Sequence, residues 1–289
     1  MKIKILDFKE LKSFPSGSGI ECFGDNIYLA GDDSRDILVM DKKWKKLDTI
    51  PLSDSGESRI PKKTKTDFEA TTIVEINRIP RLLVMGSGSK EPRNKAVLVN
   101  LDDHSREEFG IEIFYERLKT VLPAINIESA SVVLGKLLIG NRGSKGNPDN
   151  QLVVTDIDFW KNQEAAGITM TKLDLPGKPK NPVGLSGMDY SHLNDWLLVT
   201  LSTETENKSG DKSIGDSYLA IIENASRKIL HKKMKVNELV NLSDVDKAFR
   251  GHKIESVCIQ SEKSGRLKLQ LVADDDDGKS YLFKIRVKG

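Results

Sequence analysis

Four glutamates follow an apolar residue at recurring intervals: Ile20-Glu21, Phe68-Glu69, Ile127-Glu128 and Ile254-Glu255. A fifth stretch, Leu185-Ser186, has the same setting without the acid. Carboxylate and carboxamide oxygens are hard donors that suit Ca2+ or Mg2+. Asn141 adds a neutral donor of the same kind to the metal-ligand candidates Glu21, Glu69, Glu128 and Glu255. Asp33 and Asp275 are candidate bases for an attacking water, and Arg142 is a candidate to stabilise a developing anion. Together these groups suit metal-assisted hydrolysis of a phosphate ester or a lactone. A second reading stays open. The same glutamates could accept backbone N–H bonds from a neighbouring unit, or pair with Arg35, Arg142 or Lys253, and so serve structure alone.

Other chemistries find little support. His104, His192, His231 and His252 are scattered, and only His252 lies near a marker glutamate. With two cysteines in the chain, this excludes a zinc cluster of the usual spacing. Ser16-Gly17-Ser18-Gly19 and Gly86-Ser87-Gly88-Ser89 read as Gly/Ser turns without the strand-to-helix setting of a nucleophile elbow. No phosphate-binding loop of the Walker type occurs.

The elements that must position these residues form a repeat. Each marker is followed by two short apolar runs with Gly, Asp, Ser or Asn between them. In the first unit the runs are Ile27-Tyr28-Leu29-Ala30 and Ile37-Leu38-Val39-Met40; in the third they are Leu137-Leu138-Ile139 and Leu152-Val153-Val154. Fourth strands are expected at Trp44 to Ile50, Phe109 to Phe114, Ile168 to Leu173 and Lys228 to Lys233. Units of roughly 50–70 residues match a four-stranded propeller blade with insertions. The fold class is therefore all-β: one propeller domain over residues 1–289, of five blades, with six left open. The last unit stops after its third strand. The alternating segment Lys2 to Phe8 is expected to supply its outer strand and close the ring.

In such a ring the start of the first strand and the end of the second lie at one face. Asp32, Asp33, Ser87, Asn141, Arg142, Thr203, Asp274 and Asp275 should thus join the glutamates around one channel mouth. Unpaired, those carboxylates would repel one another, so they must be protonated, matched by cations or bound to metal. Arg35, Lys90, Arg93, Arg142 and Lys145 collect in the same loops and suit a small anionic ligand. Of Asp274-Asp275-Asp276-Asp277-Gly278, the first one or two acids should face the mouth and the rest form a turn. Connector helices are expected at Tyr115 to Leu122 and within Val236 to Phe249, starting near Asn241. Ser202 to Asp216 reads as a long loop. Counted from their markers, Cys22 and Cys258 both have odd offsets, which predicts thiols on the same relative blade face, free and not facing each other.

Composition sets the wider bounds. The 289 residues hold 45 Lys+Arg and 43 Asp+Glu, for a formal charge of +2, so long-range attraction to nucleic acid has no support. The short basic runs Pro61 to Lys65 and His231 to Lys233 lack interleaved aromatics. No apolar run reaches the ~18 residues of a membrane span, and the alternating start is unlike a secretory leader. A reducing, cytoplasmic setting is the expectation.

The strand-opening glutamates, the Leu-Leu-Val strands and the Asp/Asn turns together resemble the calcium-dependent propeller enzymes. These are the regucalcin/gluconolactonase, paraoxonase and phytase-like families, and the chain is most similar to an uncharacterised bacterial phytase-like group. The likeness rests on Ile20-Glu21, Phe68-Glu69, Ile127-Glu128 and Ile254-Glu255, with Asn141 and Asp274/Asp275. It implies calcium held by one or more of those glutamates. The alternative function is a non-catalytic propeller that binds a small anionic ligand or a protein at its top face.

Overall fold

The computed structural model describes all residues except 54–58, 62, 145, 178–181, 207–211 and 276–277, and it leaves aside the side chains of 204–206 and 212–213. Lys62, Lys145, Asp276 and Asp277, named above, lie outside the described residues. The chain opens with β1 (Lys2–Leu11). Blade one is β2 (Gly17–Phe23), β3 (Asn26–Gly31), β4 (Asp36–Asp41) and β5 (Lys46–Pro51). Blade two is β6 (Phe68–Ile76), β7 (Ile79–Gly86), β8 (Lys95–Asn100) and β9 (Arg106–Gly110). Helix α1 (Glu112–Lys119) leads to blade three: β10 (Ile127–Val133), β11 (Lys136–Asn141), β12 (Gln151–Asp156) and β13 (Thr169–Asp174). Blade four begins with β14 (Val183–Ser191), β15 (Trp196–Glu206) and β16 (Lys212–Glu223). After α2 (Ala225–Lys228) come β17 (Lys233–Lys235), β18 (Glu238–Asn241) and α3 (Leu242–Val245). Blade five is β19 (Ile254–Lys263), β20 (Arg266–Asp274) and β21 (Ser280–Lys288).

The five sheets make a five-bladed β-propeller, and the ring closes as the sequence predicts. β1 pairs antiparallel with β21, from Lys2 opposite Lys288 to Leu11 opposite Ser280, as the outer strand of blade five. The inner strands β2, β6, β10, β14 and β19 each touch the next, and β19 touches β2. Apolar clusters fill the blade junctions: Leu11, Ile20, Leu29 and Met40 of one end of the chain pack with Cys258, Val272 and Leu282 of the other. Trp44 adds a polar link across the same junction, donating from Nε1 to the buried Gln270 Oε1 at 2.9 Å.

Several local expectations need correction. Ser202 to Asp216 is not loop throughout: β15 and β16 extend into it, with Glu204 opposite Ile214 and Glu206 opposite Lys212, while 207–211 lie outside the described residues. The sequence hid these strand ends because their residues are polar and carry no apolar alternation. Lys228 to Lys233 does not give the outer strand of blade four. Lys233–Lys235 pairs in parallel with β13 on the edge of blade three, and the chain then returns so that β18 completes blade four. The fourth strand of blade two ends at Gly110, and Phe114 lies inside α1. Ser16 to Gly19 is not a turn ahead of blade one, because β2 starts at Gly17. The helix start near Asn241 is as expected, with the Asn241 side chain accepting from Ser243 N–H at 2.9 Å.

One device recurs in all five inner strands. The register slips near the start of each strand, at the second residue in four blades and at the fourth in blade four, so that Ser18, Glu69, Glu128, Ser186 and Glu255 each bulge from the ladder. The next residue is always small: Gly19, Ala70, Ser129, Gly187 and Ser256. A Cβ on Gly187 would lie 2.6 Å from Ser256 Cα and 2.9 Å from the Glu255 carbonyl oxygen, both backbone atoms of the next blade. Gly187→Val should therefore cost about 1–3 kcal/mol in denaturant unfolding. Gly146→Ala, where an added Cβ meets nothing within 4 Å, should cost far less. Equal effects at the two positions would show that the inner strands have room to spread.

Candidate functional site

The bulges decide which residues reach the mouth. A bulge re-aims its side chain, and in blades two, three and five that side chain is a carboxylate. Glu69, Glu128 and Glu255 feel one another's charge across the axis. In blades one and four the bulged residue is a serine bound to the next blade. Ser18 Oγ donates to the Phe68 carbonyl at 2.5 Å, and Ser186 Oγ donates to the Ile254 carbonyl at 2.8 Å. The glutamate of blade one, Glu21, is thus not a ring member. It lies three residues beyond the bulge at Ser18, buried, with Thr71 Oγ1 donating to its carboxylate at 3.2 Å. Asp189 and Cys258 stand at the same offset in blades four and five. Burial first, and then the charge of Asp189, push the Glu21 carboxyl well above the usual range. Asp189, for its part, is pushed up to about 6 by burial, against hydrogen bonds from the Ile259 and Tyr190 N–H groups.

Most acids at the mouth are matched by cations. Glu128 lies 3.7 Å from Arg142 Nη1 and accepts from Asn126 Nδ2 at 2.5 Å. Arg142 also donates to the Leu185 carbonyl at 3.1 Å and to Ser202 Oγ at 3.0 Å, so it joins blade three to blade four. Lys253 lies 2.7 Å from Glu255. These two pairings are the structural alternative drawn from sequence, and Arg35 pairs with Asp36. Asp33 accepts from Arg59 Nε at 2.9 Å, and Asp275 receives His252 Nδ1 at 2.6 Å and Lys253 N–H at 2.9 Å. As candidate bases, both acids are already engaged, although Asp33 Oδ1 has no hydrogen-bond partner among the described residues. Asn141 is also occupied: its Oδ1 accepts from Asn126 N–H at 2.7 Å and its Nδ2 donates to the Ala124 carbonyl at 3.1 Å.

The exception is Glu69. Among the described residues, no hydrogen bond or ion pair reaches its carboxylate, and it shares a cluster with Asp32 and Asp67 in which one oxygen of each lies within 4.8 Å of the others. Asp67 sits two residues before the bulge with φ +57°, a left-handed turn that aspartate tolerates. It receives Lys65 at 2.7 Å, Arg93 Nη1 at 2.5 Å and Ser87 Oγ at 2.6 Å. Lys65 also bridges to Asp32. Burial opposes the charge on Lys65, yet Asp32 and Asp67 hold its ammonium above the ordinary range. Asp32 Oδ1 is buried with no hydrogen-bond partner among the described residues. Sequence reasoning missed Lys65 and Asp67. Asp67 directly precedes the Phe68-Glu69 marker, but nothing in the sequence ties Lys65, two residues earlier again, to the turn after β3.

Hard oxygen donors and an orphaned carboxylate oxygen fit a divalent cation, which would compete with Lys65, already the cation of Asp32 and Asp67. Burial above all, and then Glu128, Asp32, Asp67 and Glu255, push Glu69 well above the usual carboxyl range. Burial pushes Glu128 up to about 7 despite Arg142. A separate groove lies between the outer strands of blade two and the turn after β12, lined by Arg81, Phe109 and Trp160, and none of the mouth acids lines it.

Fold and mouth together define a five-bladed propeller with a carboxylate-rich opening. The chain belongs to the family described as "Family of unknown function (DUF6929)", which matches residues 13–287. No curated protein matches it in sequence. Among solved structures it is similar to the Myxococcus xanthus glutaminyl cyclase, with a TM-score of 0.56 and 9% identity over 99% of this chain and 96% of that one. It is also similar to the endo-arabinase of Bacteroides thetaiotaomicron, with a TM-score of 0.54 and 13% identity over 95% of each chain. At such identities the likeness is one of fold.

The raised carboxyls carry a stability signature. A carboxyl whose folded value exceeds its unfolded one favours the fold while protonated, and that contribution fades as pH rises from about 4.3 through the folded value. Glu69→Gln should thus raise Tm at pH 8 and leave it nearly unchanged at pH 4. An identical Tm change at both pH values would mean that Glu69 is already compensated.

Proposed function

We propose that the mouth is a small-molecule site in which Glu69, Asp32 and Asp67 take a hard divalent cation, Ca2+ or Mg2+, for hydrolysis of a phosphate ester or lactone. The observation that supports it is the excess of acid at Glu69: three carboxylates face one another with Lys65 and Arg93 as their cations. When bound, the ion would supply charge to polarise a phosphoryl or lactone oxygen. The chain's own residues hold the surroundings. Glu128, near half-protonation at neutral pH, can give or take a proton. Arg142 and Lys253 place positive charge beside the acids and suit an anionic substrate. Asp33 and Asp275, held by Arg59 and His252, orient those partners and do not serve as free bases in this reading. A cytoplasmic protein of the calcium-dependent propeller kind goes with the proposal.

The second reading, a non-catalytic propeller that binds an anionic ligand or a protein at this face, is favoured by the pairing of Glu128, Glu255 and Asp67 with built-in cations. Calorimetric titration of chelator-treated protein with Ca2+ and with Mg2+ separates the two. Under the first reading one ion binds, Glu69→Gln abolishes binding, and Lys65→Met tightens it by roughly tenfold because the competing ammonium is gone. No heat of binding in either the wild type or Lys65→Met would leave the scaffold reading.

A further inference from the structure

Cys22 and Cys258 are 236 residues apart in the chain, yet their sulfurs lie 3.0 Å apart where β2 of blade one meets β19 of blade five. Both are free thiols, Cys258 buried and Cys22 half-buried. Counting from the markers predicted that they would not face each other, and the bulge shows why that fails. Blade one is in register at Ser18, not Glu21. Cys22 therefore stands four residues past its bulge and Cys258 three past its own. Opposite parity on adjacent blades turns the two side chains toward one junction. That junction is where the ring closes, beside the packing of Leu29, Met40 and Val272.

We propose that Cys22 and Cys258 form a reversible disulfide, made by a peroxide, that covalently locks the first blade to the last. The sulfurs need to approach by only about 1 Å to reach the usual bond length of about 2.05 Å. The chemistry proceeds in two steps. Hydrogen peroxide transfers an oxygen to the more accessible Cys22 thiol, giving a sulfenic acid and one water. The Cys258 sulfur then attacks the Cys22 sulfur, the S–S bond forms as the S–O bond breaks, and a second water leaves with the Cys258 proton. The overall balance is two thiols and one peroxide to one disulfide and two waters. A dithiol reverses it.

The surroundings of Cys258 set its role. Burial first, then the hydrogen bond to Cys22 and the charges of Glu21 and Asp189, raise its thiol well above the ordinary range. It is a poor first nucleophile toward an oxidant in solution, which cannot reach it. It is well placed to resolve an oxidised neighbour already in contact. The half-buried Cys22 is thus the residue that meets the peroxide, and Cys258 the one that completes the bond.

The bond would span the closure that otherwise rests on the β1–β21 ladder and the packing beside it. Closing so long a loop restricts the unfolded chain strongly, so the oxidised protein should melt higher by about 5 °C or more.

The test is intact mass and peptide mapping of folded protein after hydrogen peroxide treatment at pH 8. The expected result is a monomer lighter by about 2 Da with a Cys22–Cys258 linked peptide, reversed by dithiothreitol, the mass loss being two hydrogens. In Cys258→Ser, Cys22 should instead accumulate as a sulfenic acid trapped by dimedone, while Cys22→Ser should remain unoxidised under the same exposure. The proposal is overturned if wild-type protein only gains oxygen atoms, forms only intermolecular dimers, or makes the internal bond only in denaturant. Cys258 is itself a core residue, so the folding of both single-cysteine variants is checked by Tm alongside.

Discussion

The constraint on which the rest depends is the crowding of five inner strands around one axis. Each must pass close to two others, and the chain meets this twice in every blade. A bulge near its start bends the strand into the ring, and a small residue follows it. At Gly19 an added Cβ would come within 2.4 Å of the Thr71 side chain, and at Gly187 within 2.6 Å of backbone. The site follows from this packing. A bulged residue cannot stay in the ladder, so its side chain is turned toward the mouth or into the neighbouring blade. Serine there becomes a clasp to a carbonyl, and glutamate becomes a member of the acidic ring.

Such a ring is electrostatically expensive, and its partners are arranged accordingly. Arg142 and Lys253 come from the ends of strands or turns in their own blades, while Lys65 comes from the connection between blades one and two. Each compensates an acid, and Arg142 also joins two blades, so the same contacts stabilise the ring and shape the site. This economy does not extend to Glu69. A half-buried acid beside Asp32 and Asp67 with a cation shared elsewhere is held at a cost to stability, and it is the place in the mouth where an added positive charge or a proton has most to offer.

The blade count, the closure by Lys2 to Phe8 and the common face of Asp32, Asn141 and Asp275 were legible because they depend on apolar periodicity and on turn residues, which are local signals. Asp67, Lys65 and Arg59 were not, because what makes them site residues is a contact across blades. Arg59 reaches Asp33 over 26 positions and Lys65 reaches Asp32 over 33, and no spacing rule encodes either. The outer edge of blade three was opaque for a related reason. Its fifth strand, Lys233–Lys235, is borrowed from a later stretch and has a single buried side chain, Met234.

A single misplacement explains both departures at blade one. The pair Ile20-Glu21 imitates the Ile-Glu of blades three and five, but the bulge lies three residues earlier, at Ser18 between two glycines. Reading the glutamate as the opener moved an axial carboxylate from the lower level, where it meets Asp189, to the mouth, where it has no place. The same shift inverted the parity of Cys22 and turned its thiol away from Cys258. In a repeat fold, then, the marker that aligns the units is the residue whose geometry is compelled by the close approach of strands, here the bulge and the small residue after it. The charged residue is the weaker guide, since its position is free to vary from blade to blade with the chemistry it serves.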